Sequence, residues 1–538
     1  MVYETVGKMY IIENDTGKST APAGAIHHQI ISLSLQEMTK QLSSQDREFF
    51  SIVSRAGFIN QFSEERTELE LQIAGLPPAA SRKQRMEKVF HEVRKRISRL
   101  ESENMADINV FAGADRQIME KVFLWELFYR FKDKFDQLIF NQIEAGNTPV
   151  KVPFYNEGVA AMAARGFGEE SCRHYIALGF QIRRAFYFID RNLLGTSPSM
   201  KALRLNLWNN VFTHDIELYD RYLRYRMEDF STLLLGETGT GKGSAAMAIG
   251  RSGFIPLDKR RKIFVESFAR SFVSLNLSQY PETLIESALF GHKKGAFTGA
   301  VEDYQGVFEN CSPYGAILLD EIGEISEPIQ IKLLQVLQER MFSPVGSQKQ
   351  SRFEGRVIAA TNRGFDEIRG GRLFRDDFYY RLCSDIITVP PLRQRIAENS
   401  KELDILLNIT MERLIGNPSP ELVASVKDVI DRQLGEAYPW PGNVRELEQC
   451  VRRVLLRGVY TGEFDFRARD LDRQLITGVE QGTIDAASLV SGYCYLLYRR
   501  HHTFEEVARR TGLDRRTVKK YIQDWEADGS GAGRDPQA

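Results

Sequence analysis

The sequence predicts an α/β centre: a parallel sheet covered by helices on both faces, with helical regions before and after it. Three observations predict this. Five short apolar runs, STLLL at 231–235, SFVSLN at 271–276, AILLD at 316–320, RVIAATN at 356–362 and DIITV at 385–389, alternate with helical segments. Strands separated by helices pair in parallel through crossovers. Before about residue 193 the apolar positions repeat at helical spacing, and after 391 helical patterns return.

The N-terminal region, 1–193, reads as mostly helical. Met86, Phe90, Val93, Ile97 and Leu100 step by 4, 3, 4 and 3, with Glu87, Lys88, Arg94 and Lys95 off the seam. Two heptads are few for a coiled coil, so a helix packed in a bundle is expected. A second stripe, Val122, Trp125, Phe128, Phe131, Phe135, Leu138 and Ile139, is aromatic and reads as core, with a ligand pocket as the alternative. A further helix is expected over 170–193. The region lacks the alternating strand–helix pattern and strand-end Asp of a phosphoacceptor receiver domain.

Composition bounds the function. In 538 residues, 71 Lys and Arg stand against 72 Asp and Glu, a net charge of -1, which excludes a chain-wide polycation and an acidic solvating protein. Hydrophobic residues at 43% suffice for sizeable cores. Cys172, Cys311, Cys383, Cys450 and Cys494 form no CxxC pair and read as free thiols of a reducing compartment. The opening MVYETVGKMYIIEND carries acids and no long apolar core, so no secretory leader is expected. No 18-residue apolar stretch exists, and a cytoplasmic protein without a membrane partner is expected.

Gly236-Glu237-Thr238-Gly239-Thr240-Gly241-Lys242 follows the first strand and precedes a helix over 243–249. GxxxxGK between strand and helix is a phosphate-binding loop. Its glycines let backbone N–H groups converge on phosphate oxygens, the helix N-terminus adds partial positive charge, and Lys242 neutralises the β/γ-phosphates. Gly243 stands where Ser or Thr would meet magnesium, and Ser244 is adjacent, so the loop's share in metal ligation stays open. The run 315–321 ends in Asp320 and Glu321. A buried strand ending in two acids supplies the rest of a triphosphatase site: Asp320 for Mg²⁺ and Glu321 for the attacking water. From the residues alone, Arg375, Arg381 and Arg445 read as surface ion pairs.

ESALFGHKKGAFTGA at 286–300 contains GAFTGA. With the loop above, LLDEIGEI, AATNR, FRDDFYYRL and WPGNVRELEQ, residues 194–460 resemble the bacterial enhancer-binding proteins, AAA+ ATPases that activate RNA polymerase carrying sigma-54. The resemblance implies an AAA+ P-loop ATPase core over 194–391 and a helical lid over 392–460, behind a regulatory domain over 1–193. It implies ATP and Mg²⁺ as cofactors and a ring, expected to be a hexamer. It implies that Asn276 holds the catalytic glutamate, that Asn362 is the first sensor, that Arg375 and Arg381 are fingers supplied to a neighbour, and that Arg445 is the second sensor. It implies that Gly295, Ala296, Phe297, Thr298, Gly299 and Ala300 form the loop that touches sigma-54. An apolar ring between two glycines is poor core material, so Phe297 is expected exposed on a mobile loop. The sequence departs from the family at Gly243, in place of a frequent glutamate, and in the long aromatic run 214–230. The kind of regulatory domain that the N-terminal region forms, and the signal it senses, are not identified by the sequence.

A linker is expected over 461–480, a DNA-binding domain over 481–527 and a flexible tail over 528–538. Helices over 504–511 and 515–522 about the turn Gly512-Leu513-Asp514 make a helix-turn-helix pattern, cored by Val507, Ala508, Leu513, Val518 and Tyr521. Arg515, Arg516, Thr517, Lys519 and Lys520 lie on or near the second helix and could reach double-stranded DNA. Segment 499–522 holds eight Lys or Arg against three acids, so the near-zero total hides a compact basic module. The function expected is an ATP-hydrolysing activator that binds upstream DNA and remodels the closed complex of sigma-54 RNA polymerase. The alternatives are a nucleotide-responsive DNA-binding repressor, against which Phe297, Thr298 and Glu321 argue, and an AAA+ chaperone, against which the helix-turn-helix argues.

Overall fold

The computed structural model describes residues 39–370, 373–436, 438–462, 475–476, 478–479, 482–501 and 503–527. Most of the expected linker and all of the expected tail lie outside the described residues. The chain divides into two units. The first runs to Glu237 and resumes over Gly241–Pro390; the second takes Thr238–Thr240 and the residues from Pro391 onward.

All five apolar runs form the one five-stranded sheet of the first unit. The strands are β1 (Thr232–Leu235), β2 (Phe272–Asn276), β3 (Ala316–Asp320), β4 (Arg356–Thr361) and β5 (Asp385–Thr388), in the order β2-β3-β4-β1-β5 and parallel throughout. Side chains alternate across the pleat, so each strand feeds two cores. Leu234, Leu318, Ile358 and Ile387 enter one; Leu233, Leu235, Ile317, Leu319 and Val357 enter the other.

Among the described residues, eight helices of nine residues or more precede the sheet: α1 (Ser44–Phe58), α2 (Glu64–Ala74), α3 (Arg82–Ser102), α4 (Gly113–Arg130), α5 (Lys132–Ala145), α6 (Tyr155–Ala163), α7 (Glu169–Asn192) and α8 (Pro198–Phe212). Serine starts four of them. Ser43, Ser63, Ser81 and Ser197 each accept from a backbone N–H three residues on, and Ser81 with Gln84 completes a capping box. The first stripe lies on α3, with Val89, Val93, Ile97 and Leu100 buried. The second is split: Phe131 separates α4 from α5, so Val122 and Trp125 sit on one helix and Phe135, Leu138 and Ile139 on the next.

The core of this helical region does not close on itself. It is continuous with one face of the sheet and with α9 (Lys242–Gly250), whose Ala245, Ala246, Ala248 and Ile249 are buried in it. Small side chains let α9 lie close to its neighbours. At Gly250 a Cβ would fall 2.4 Å from the Phe272 ring. Polar ties run from α7 to the residues just after α9: Gln181 Nε2 donates to Ser252 O at 2.9 Å, and Arg184 donates to Gly253 O. The opposite face of the sheet packs under α10 (Glu282–Phe290), α11 (Glu327–Glu339) and α12 (Asp376–Leu382).

The second unit holds α13 (Leu392–Glu398), α14 (Lys401–Ile415), α15 (Pro420–Gln433) and α16 (Asn443–Arg457) about Leu407, Met411, Ile430, Trp440, Leu447 and Val451. Arg395 and Glu402, both almost fully buried, pair at 3.0 Å. Beyond lie α17 (Ala486–His501), α18 (Phe504–Thr511) and α19 (Arg515–Ala527). Val507 and Val518 are buried as the pattern requires, joined by Cys494, Leu497 and Ile522; Ala508, Leu513 and Tyr521 are partly buried. α19 runs five residues further than the expected 522. All five cysteines are free thiols, and burial pushes Cys311, Cys383 and Cys450 up to about 12.

Candidate functional site

The parallel register sets the site. Asn276 pairs with Asp320, Asp320 with Ala360, and Leu235 with Thr361, so the ends of four adjacent strands share one edge. Open α/β sheets bind ligands beyond the carboxyl ends of their strands. β1 gives way there to Gly236, Glu237 and, after the turn, Gly241 and Lys242; β3 gives Asp320 and Glu321; β4 gives Asn362.

Gly241 caps α9 at φ +106°, a conformation that L side chains rarely adopt. Lys242 is buried, and its Nζ donates to Gly236 O at 2.7 Å and Glu237 O at 3.2 Å. The ammonium therefore points into the concavity of its own loop. Gly243 is exposed, with no atom within 4 Å of where a Cβ would stand, and Ser244 beside it is half-buried. Gly243→Ala should therefore stabilise α9 by about 0.5–1 kcal/mol, the cost of helical glycine. Thermal denaturation checks this, and a lowered midpoint would show that the space is not free.

Asp320 and Glu321 are half-buried at the mouth of β3, and Asp320 Oδ1 accepts from Glu321 N at 3.1 Å. Glu321 has φ +56°, a left-handed conformation that a non-glycine residue keeps only when its surroundings impose it. Asn276 is on the adjacent strand, yet its Oδ1 accepts from Ser278 N at 3.0 Å and Ser278 Oγ at 2.7 Å, and its amide makes no bond to Glu321. Asn362 is exposed just past β4.

The two arginines of α12 differ. Arg375, at its N-cap, is exposed and held by Glu327 at 2.5 Å and Asp377 at 3.1 Å, which raise its affinity for the proton further. Arg381, in the last turn, is half-buried and donates through Nε to Leu337 O at 2.9 Å. In the second unit, Asn443 Nδ2 donates to Thr238 O at 3.0 Å and Val444 N to Gly239 O at 3.1 Å. A Cβ on Gly239, at φ +80°, would lie 2.2 Å from Gly442 O. Thr240 is buried, and Arg445 is exposed in the first turn of α16.

Residues 295–300 form a tight loop within a pairing of His292 with Tyr304. Gly295 N donates to Ala300 O at 2.8 Å and Ala300 N to Phe297 O at 3.0 Å. Gly295 at φ +81° and Gly299 at φ +103° have open space around them, so conformation rather than crowding demands glycine. Thr298 is exposed, Ala296 half-buried and Ala300 buried. Phe297 corrects the expectation of exposure. It is half-buried, its ring edge-on to His292 at 4.8 Å. His292 is anchored to Ser287 Oγ at 2.7 Å, and Lys293 pairs with Asp303 at 2.6 Å. The sequence reading passed over His292 and Asp303, although both lie within or beside the motif.

Asp514 caps α19, accepting from Arg516 N at 2.9 Å, Thr517 N at 3.1 Å and the Thr517 hydroxyl. Arg515 pairs with Glu505 at 3.0 Å. Arg516, Lys519 and Lys520 are exposed and make no ion pair among the described residues. The hydroxyl of Thr517 is thus engaged locally, which the sequence pattern did not reveal. No described helix is long and apolar enough to cross a membrane.

Residues 212–388 match the family described as Sigma-54 interaction domain. The chain is 31% identical over 462 residues to the Nif-specific regulatory protein of Bradyrhizobium diazoefficiens, covering 81% of this chain and 75% of that one. It is 40% identical over 271 residues to the Nif-specific regulatory protein of Azotobacter vinelandii, covering 50% and 45%. It is 38% identical over 269 residues to the hydrogenase transcriptional regulatory protein HoxA of Cupriavidus necator, covering half of each. The match thus spans about half the length of two of these relatives and three quarters of the third.

Proposed function

The chain belongs to the sigma-54-dependent enhancer-binding proteins, and from that premise we propose that it is an ATP-hydrolysing transcriptional activator that binds upstream DNA and remodels the closed complex of sigma-54 RNA polymerase. The observation that carries the reading is the strand register, which gathers the phosphate loop, Asn276, Asp320, Glu321 and Asn362 at one sheet edge.

The residues fit Mg-ATP. A glycine at φ +106° opens α9 toward the loop, and Lys242 already turns its ammonium into the loop's concavity. Bound Mg-ATP supplies the phosphoanhydride and a divalent counter-charge. Lys242 draws the β/γ-phosphates in, replacing two carbonyl partners by charged oxygens. Asp320 would hold the metal, directly or through water, and Gly243 offers no hydroxyl to share the task. Glu321 orients and deprotonates the attacking water. Arg375 and Arg381 serve a neighbouring subunit's nucleotide, in a head-to-tail ring that we take to be hexameric. Asn276 restrains Glu321 in one nucleotide state, for which it would give up its bonds from Ser278. Asn362 and Arg445 report the nucleotide to the sheet and the lid. The 295–300 loop carries the stroke to sigma-54.

The N-terminal region regulates this cycle. Its α7 is bonded to Ser252 and Gly253 at the far end of α9, so a shift of α7 reaches the phosphate loop through one rigid helix. The α17–α19 module binds the DNA. Lys519→Ala with Lys520→Ala should weaken binding across all sequences and reduce the slope of log affinity against log salt by about 1 per lysine, through lost counterion release. Titrations at several salt concentrations measure this; an unchanged slope would show that the lysines touch no phosphate. The reading as a whole is tested by transcription in vitro from a sigma-54 promoter with ATP or a non-hydrolysable analogue. Open complexes should need hydrolysable ATP, and their absence with ATP would overturn it.

A further inference from the structure

The run from His214 to Phe230 plays no part in the ATPase reading. It folds as a π-helical stretch, Tyr219–Leu223, and a short turn over Met227–Asp229, and π-helical turns concentrate at functional sites. It walls a cavity of about 460 Å³. The other walls are the first residues of β3 and β4, Ala316 and Arg356, and the last of α9, Ile249 and Gly250. The cavity therefore lies at the edge of the sheet where strands begin, opposite the edge that carries Asp320.

Five arginines line it, Arg224, Arg226, Arg340, Arg352 and Arg356, against three acids, Glu228, Asp229 and Glu354. Arg356 is spent on the fold: it donates to Phe230 O, Asn210 O and Thr232 Oγ1. The others have capacity left. Arg340 is nine-tenths buried, donates to Glu228 O and Gly355 O and meets Asp229 at 3.3 Å, which leaves its Nε; Arg224 pairs with Asp220 at 2.7 Å, which leaves its buried Nε. Arg226 is exposed and pairs with no acid among the described residues, and Arg352 meets only Glu354, at 3.6 Å. Unfilled guanidinium forks select phosphate or carboxylate.

The same cavity has an aromatic wall. Tyr225 stands edge-on to Phe254 at 5.6 Å under the Arg224 guanidinium, at 4.9 Å, and is 56% exposed; Tyr314 lies on the lining too. An exposed tyrosine backed by an arginine offers a face for a flat ring. The volume falls within the range of small-molecule sites.

We propose that this cavity binds a small molecule carrying both a phosphate group and a flat ring, of mononucleotide size. Arg226, Arg340 and Arg352 take the phosphate and Tyr225 the ring. The occupant rests against the end of α9, the helix that begins at Lys242, so the site couples to the ATPase from behind.

The test uses full-length protein carrying Lys242→Ala, which removes the phosphate loop from the measurement, and fluorescently labelled AMP as probe. Saturable binding is expected to persist. Arg226→Glu and Arg352→Glu should each weaken it by about tenfold or more, the scale of one charge-assisted hydrogen bond. Both side chains are exposed, so an unchanged melting curve shows that the fold is kept. Unlabelled AMP should displace the probe better than adenosine or inorganic phosphate alone. The proposal is overturned if Lys242→Ala abolishes binding, if both arginine variants bind as their parent does, or if no probe binds. Loss confined to Lys242→Ala would leave the ATPase reading standing and remove only this site.

Discussion

Glu321→Gln protein should bind ATP as its parent does and hydrolyse it about 10²–10⁴-fold more slowly, the range of a lost general base. Gln keeps the size and the hydrogen-bonding reach of Glu while removing the carboxylate. The geometry that carries the side chain should survive. Asp320 Oδ1 accepts from the backbone N–H of residue 321, and the strand beneath is buried at Ala316, Ile317, Leu318 and Leu319. The φ of +56° at 321 belongs to the turn, and Gln tolerates it no worse than Glu. Phosphate release gives the rate, and a fluorescent ATP analogue gives the affinity. A rate within about twofold of the parent would remove Glu321 from the chemistry and leave Asp320 as the acid to examine. Weakened binding at a normal rate would instead make the acid a ligand for the nucleotide's charge.

How far the sequence could be read differs between elements, for physical reasons. The five strands were legible because buried parallel strands are continuous apolar runs, and every run found its place in the sheet. Their order was not, since a run carries no record of its neighbours. The glycine loop at 236–242 and the Asp320–Glu321 pair stood out because each sets particular residue types at fixed spacing after a strand, and both strands form as expected. The break at Phe131 was not, because the aromatic period continues across it and α5 starts directly after α4. Nor was the rank of the arginines: only the fold shows Arg381 bound to a backbone carbonyl and Arg375 held by two carboxylates. A sequence boundary near 193 marks a change of texture, yet the helices before it share a core with Leu234, Ile249 and Ile358. Each such side chain is worth about 1.5–3 kcal/mol when buried. Removing the N-terminal helices therefore strips cover from the central sheet as well as removing the proposed regulator. A point variant on α7, such as Gln181→Ala, separates the two effects where a truncation confounds them.

Thr298→Ala should divide the two activities the loop and the strand edge are proposed to supply. The side chain is exposed and makes no hydrogen bond among the described residues, so its loss costs the fold little. The loop's shape rests on backbone bonds between residues 295, 297 and 300 and on two glycines at positive φ, none of which the substitution touches. ATP hydrolysis should therefore stay within about twofold of the parent, set by Lys242, Asp320 and Glu321 at the sheet edge. Open-complex formation should fall by about thirtyfold or more, the loss of roughly 2 kcal/mol expected when a central contact residue is truncated. Phe297 is a poorer probe of the same contact. Its ring leans on His292, so its removal would loosen the loop and the two losses could not be told apart. Permanganate reactivity of a sigma-54 promoter and phosphate release, measured in one reaction, give both numbers. Open complexes at the parental level would take the 295–300 loop out of the contact. A parallel fall in hydrolysis would place Thr298 in the coupling between loop and nucleotide rather than at the surface that meets sigma-54.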